Sequence, residues 1–73
     1  MSKVIGWGER MKKAREALGL SVEQAAVRIG VTRTTLASWE REDTSPDLPR
    51  ISQIARELHI EAAYLVFGRE RRA

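Results

Sequence analysis

Apolar residues recur along this chain at helical intervals, and no stretch reads as a strand. Trp7, Met11, Ala14 and Leu18 follow one another at steps of four, three and four, the stripe of a first helix. Gly19 is placed to end it, because glycine takes the left-handed cap conformation at little cost. Ser21 with Gln24 three residues later has the form of a capping box and opens a second helix. Ala25, Ala26 and Ile29 form the inner face of that helix, and Gly30 stops it. Thr32 is a good N-cap for a third helix from about Arg33 to Arg41. Leu36 and Trp39 share one side of it, and Arg33, Thr34, Ala37, Ser38 and Arg41 lie on another. The polar run from Glu42 to Pro46 predicts a loop. Asp47 can cap a fourth helix that tolerates Pro49 in its first turn. Its apolar period is Leu48, Ile51, Ile54, Ala55 and Leu58. A short fifth helix, about Glu61 to Phe67, ends at Gly68, and a charged tail follows over 69–73. The prediction is an all-α, five-helix single domain over residues 1–73, with its core about 7–68.

Composition narrows the function classes. A chain of 73 residues makes one domain with a small core. With no cysteine and a single histidine, a disulfide framework and a structural zinc site are both excluded. Helix packing and association with a second copy are then the means of stabilising the fold. His59 reads as a helix-end residue rather than a ligand or base. With no nucleophile–base–metal set and little room for a cavity, neither an enzyme nor a cofactor site is expected. No apolar run approaches the roughly 20 residues that span a bilayer, and Met1 to Gly8 lacks an apolar core of signal-peptide length. The chain reads as cytoplasmic, without a membrane partner. A formal charge of +3 permits nucleic-acid binding without demanding it. Lys3, Arg10, Lys12, Lys13 and Arg15 crowd the start, Arg69, Arg71 and Arg72 the end, and Glu40, Glu42, Asp43 and Asp47 the middle.

Two short helices joined by a three-residue turn containing glycine are the sequence form of a helix-turn-helix, here about Ser21 to Glu40. Gly30 suits the turn because other residues are strained at positive φ. Ala25 and Ala26 allow close helix approach, and Val31 and Leu36 can fill the space between. The free face of the third helix carries a guanidinium, hydroxyls and a methyl group. Arginine pairs with guanine O6 and N7, hydroxyls pair with several base edges, and a methyl packs on thymine in a major groove wide enough for one helix.

The run LGLSVEQAAVRIGVTRTTLASWERE, Leu18 to Glu42, resembles the Cro/repressor-type helix-turn-helix family, also called the XRE family. Gly8-Glu9-Arg10-Met11 through Arg15 resembles its first helix. Pro46 onward, with Ile51, Ile54-Ala55, Leu58 and Tyr64-Leu65-Val66-Phe67-Gly68, resembles its fourth and fifth. The resemblance implies a lambda-repressor-like fold and a sequence-specific double-stranded-DNA-binding transcriptional regulator, a repressor that works as a homodimer on a near-palindromic operator. A phage-type repressor, a restriction–modification controller and an autoregulating antitoxin all fit. It implies base contacts at Arg33, Thr34 and Ser38, with Ala37 beside them. Phosphate contacts fall at Ser21 and Val22, where a helix start attracts an anion, and at Thr35 and Arg41. The cluster of Arg10, Lys12, Lys13 and Arg15 reads as a solvated face with one structural ion pair, or with Arg10 as a further phosphate contact. Arg15 and Glu40 match an ion pair bridging the first helix to the end of the third.

The chain also departs from the family pattern. Ala25 stands where a large aliphatic is usual, leaving a gap that Trp39 or another bulky group fills. Val22 stands where glutamine is common, Glu42 and His59 where glycine is. Glu42 and Asp43 bring carboxylates, which repel phosphate, to a loop that is often basic. An acidic loop favours the alternative reading, a helix-turn-helix used for contact with a protein partner. Arg33, Thr34 and Ser38 read either as a DNA-reading set or as a solvated face. Trp39 and Trp7 read as core. Tyr64, Val66 and Phe67 read either as core or as the contact between two copies.

Overall fold

The computed structural model describes residues 6–68. Five helices follow in order: α1 (Trp7–Ala17), α2 (Val22–Ile29), α3 (Arg33–Glu40), α4 (Leu48–Glu57) and α5 (Ala62–Phe67). No strand is present among the described residues. The third and fifth helices are one residue shorter than their apolar periods suggest, since Arg41 and Glu61 serve as caps.

Local chemistry explains most boundaries. The Ser21 hydroxyl accepts from the Gln24 amide, and the Gln24 side chain accepts from the Ser21 amide, which completes the capping box of α2. Thr32 and Asp47 cap α3 and α4 by accepting from the Thr35 and Arg50 amides. Gly30 ends α2 at φ +88°. At the ends of α3 and α4 the left-handed positions belong to Glu42 (φ +62°) and His59 (φ +60°), the two places where the family pattern has glycine.

α2 packs most closely on α3, while α1 crosses α3 and α5, and α4 joins α2 to α5. Met11, Ala25, Ile29, Leu36, Ile54, Leu58 and Leu65 are buried where these helices meet. Trp39 and Ala25 are both buried in this cluster, and Trp7 packs against it. Two positions of the apolar stripes fall outside it. Leu18 is exposed at the C-cap of α1, and Leu48 is 77% exposed at the first turn of α4. Each sits at a helix end, where the stripe has already rotated past the core.

Long-range polar contacts fix how the helices meet. Arg50 Nη1 and Gln53 Nε2 of α4 both donate to the Ile29 carbonyl at the end of α2, at 3.1 and 2.6 Å. α4 thereby satisfies a carbonyl that α2 cannot satisfy itself and braces the turn that leads into α3. Among the described residues no buried side-chain N or O atom lacks a hydrogen bond.

Candidate nucleic-acid interface

Three residues, Gly30 to Thr32, separate α2 from α3. The pair is held from within by Ala25, Ala26, Ile29 and Leu36 and from behind by Arg50 and Gln53. The opposite face of α3 is left outside. Arg33 and Thr34 are exposed and form no hydrogen bond or ion pair through their side chains among the described residues. Ala37 and Ser38 are half-buried on the same helix. The Ser38 hydroxyl lies 2.9 Å from that of Thr44, which brings a loop residue to the edge of the face. Sequence spacing gave no signal for Thr44, because only the chain reversal after α3 carries it there.

The expected phosphate contacts are distributed unevenly. Thr35 accepts a hydrogen bond from the Thr32 hydroxyl at 2.9 Å, leaving its own O–H to donate. The capping box occupies the amides of Ser21 and Gln24, so the free amides in the first turn of α2 are those of Val22 and Glu23. Arg41 stands exposed and donates through Nε to Asp43 Oδ2 at 2.9 Å. Arg10 is engaged at the other end of the chain. Its guanidinium donates to the Leu65 and Val66 carbonyls of α5, at 2.9 and 3.0 Å, and so closes the C-terminus of that helix.

Arg15 and Glu40 meet in a bidentate pair, Nε to Oε2 at 2.7 Å and Nη2 to Oε1 at 3.1 Å. Both side chains are only 9% exposed. Arg15 Nη1 also donates to the Leu20 carbonyl. Hydrogen bonding to Glu40 raises the Arg15 pKa above the ordinary guanidinium value, burial opposes that rise, and the charges of Glu40 and Glu16 add to it. The pair ties α1 to the end of α3.

The carboxylates of the acidic loop have partners within the fold. Glu42, although exposed, reaches back to α1, where its Oε2 accepts from the Gly8 amide at 2.8 Å and its charge lies at the helix start. Gly6 and Gly8 make room for it, since a Cβ at either would collide with the Glu42 side chain. Asp43 holds Arg41, Glu40 holds Arg15, and Asp47 caps α4. All four carboxylates of the cluster serve the protein's own structure.

At the far side, Phe67 is 72% exposed while Tyr64 and Val66 are half-buried. Val66 also lines an apolar groove of about 230 Å³ with Trp7, Met11, Pro46 and Ile51. Among the described residues no three His, Cys, Asp or Glu side chains converge as metal ligands would, and no helix is long and apolar enough to cross a membrane. Arg69, Arg71 and Arg72 lie outside the described residues.

Comparison with known proteins places this geometry. The helix-turn-helix family pattern matches residues 11–65. An uncharacterized HTH-type transcriptional regulator of Methanothermobacter thermautotrophicus is 39% identical over 59 residues, covering 77% of this chain and 86% of that protein. The restriction–modification controller protein C.AhdI of Aeromonas hydrophila is 34% identical, with a TM-score of 0.76 over 81% of this chain and 89% of that one. The phage P22 c2 repressor, solved with a synthetic operator, superposes with a TM-score of 0.86 over 90% of this chain and 100% of that one, at 24% identity, a likeness of fold. The family and structural neighbours are regulators rather than enzymes. With its five-helix fold and the matched helix-turn-helix, the chain belongs to the Cro/repressor-type (XRE) family of helix-turn-helix transcriptional regulators.

Proposed function

We propose that this protein is a cytoplasmic repressor that reads double-stranded DNA in a sequence-specific manner as a homodimer. The observation that carries the reading is the outer face of α3, where Arg33 and Thr34 are exposed and, among the described residues, unengaged through their side chains, on a helix braced from behind. Set in a major groove, Arg33 pairs with guanine and Thr34 and Ser38 offer hydroxyls to base edges, with the Ala37 methyl beside them. The free amides near Ser21 and Val22, the Thr35 hydroxyl and Arg41 hold the flanking phosphates. One such domain makes few contacts, and two copies on a near-palindromic site about 34 Å apart supply the rest. The exposed Phe67, with Tyr64 and Val66, is the surface through which they pair. Occupying a promoter is enough to repress it.

The protein-contact reading draws on the acidic loop and the modest net charge, and the engagement of each of the loop's carboxylates within the fold weakens the first of these. Duplex binding measured across a salt series separates the two. A DNA-binding regulator loses affinity steeply as salt rises, with a slope set by its phosphate contacts. Absence of saturable binding to any duplex at low salt refutes the proposal.

A further inference from the structure

A cleft of about 410 Å³ opens where α1, the start of α2 and the second half of α3 meet. Glu9 and Lys12 stand on one wall, Val22, Ala37 and Arg41 on the others, and the buried Arg15–Glu40 pair lies beneath. We propose that this cleft seats one phosphodiester group of the DNA backbone between Lys12 and Arg41, and that Asp43 occupies Arg41 until DNA displaces it. The inference rests on the DNA-binding reading above and adds to it a residue of α1 and a competitor built into the loop.

The charges favour a single anion. Glu40 would repel a phosphate, but Arg15 engages both of its oxygens, so the base of the cleft carries no net charge. Glu9 lies 3.9 Å from Lys13, an i, i+4 pair on the outside of α1. Lys12 is exposed and forms no ion pair among the described residues. Arg41 is held by Asp43 through an exposed contact at 2.9 Å, which costs little to exchange for a phosphate oxygen. With these pairs intact Lys12 carries the one uncancelled positive charge of the cleft, and release of Arg41 from Asp43 adds a second donor to the same diester.

Position selects DNA over a free anion or an acidic peptide. Ala37 lines the cleft and also belongs to the face of α3 that carries Arg33, Thr34 and Ser38. A strand whose bases meet that face passes its backbone along the cleft. Phosphate contacts of this kind set register and strength but carry no base information.

The test uses a labelled mixed-sequence duplex about two helical turns long, titrated with the full chain at several salt concentrations. Lys12→Ala should lower affinity by roughly three- to tenfold and reduce the salt slope by about 0.9. Arg56→Ala removes the same charge from an exposed position of α4, outside the cleft, and should leave the slope near that of the unaltered protein. Asp43→Asn should raise affinity, and the gain should vanish when Arg41→Ala is added. All these side chains are exposed, and circular dichroism verifies that each variant is folded. Equal slopes for Lys12→Ala and Arg56→Ala overturn the seat, because the lysine would then act only through the general field. A gain from Asp43→Asn that persists without Arg41 overturns the competition. If the unaltered chain binds no duplex at low salt, the DNA-binding reading falls and this inference with it. Normal binding with an unchanged Lys12→Ala slope removes this inference alone.

Discussion

Replacing Arg15 by methionine isolates the physical role of the most enclosed charge in the fold. Methionine keeps the aliphatic volume and deletes the guanidinium, which makes two hydrogen bonds to Glu40 and one to the Leu20 carbonyl. Glu40, at 9% exposure, is then left as a carboxylate with neither partner nor full hydration. Breaking such a pair from one side costs about 3–5 kcal/mol. At about 0.05–0.15 kcal/mol per residue, a chain of 73 residues has some 4–11 kcal/mol in total, so the variant loses about a quarter or more of its stability. The midpoint of thermal unfolding should drop by about 12 °C or more. Adding Glu40→Leu removes the stranded charge, and the double variant should recover to within about 1–2 kcal/mol of the parent. Urea denaturation followed by circular dichroism gives all three values. The raised pKa of Arg15 makes its contribution complete below the ordinary guanidinium value and lost only as pH climbs through the raised one, so moderate alkali leaves it intact. A loss below about 1 kcal/mol for Arg15→Met would refute the reasoning, since the pair would then be solvated and could not orient α1 against α3.

Four other outcomes follow from particular contacts. His59→Gly should stabilise the protein by about 1 kcal/mol, because His59 sits at φ +60° with no side-chain hydrogen bond among the described residues, whereas Glu42→Gly should give no such gain because it forfeits the bond to the Gly8 amide; chemical denaturation of the two variants side by side is the check. Gly8→Ala places a methyl 2.5 Å from the Glu40 carbonyl oxygen and should cost about 1–3 kcal/mol in the same assay, and an unaltered melt would show that α1 can shift away. Arg33→Ala should weaken binding to a selected operator by about 1–3 kcal/mol and relax preference at one base position, and a uniform loss over all duplexes would reassign Arg33 to phosphate. Phe67→Asp alters an exposed side chain and should move the sedimentation profile from dimer towards monomer, while an unchanged profile would remove α5 from the interface.

Sequence alone determined where the helices start and stop, because those signals are local. Ser21 with Gln24, Thr32, Asp47 and Gly30 each act on groups within a few residues of themselves, so their spacing along the chain is already their geometry. The same holds for the outward face of α3, since helical periodicity that turns Leu36 and Trp39 inward must turn Arg33 and Thr34 outward. Tertiary structure decided everything that depends on which helix end meets which neighbour. It exposed Leu48 although Leu48 keeps the apolar period, sent Arg10 to carbonyls 55 and 56 residues away, and folded Glu42 onto an amide 34 residues before it. A carboxylate or guanidinium has no periodic preference for a partner, and its role is chosen by the polar group, backbone or side chain, that packing brings within reach.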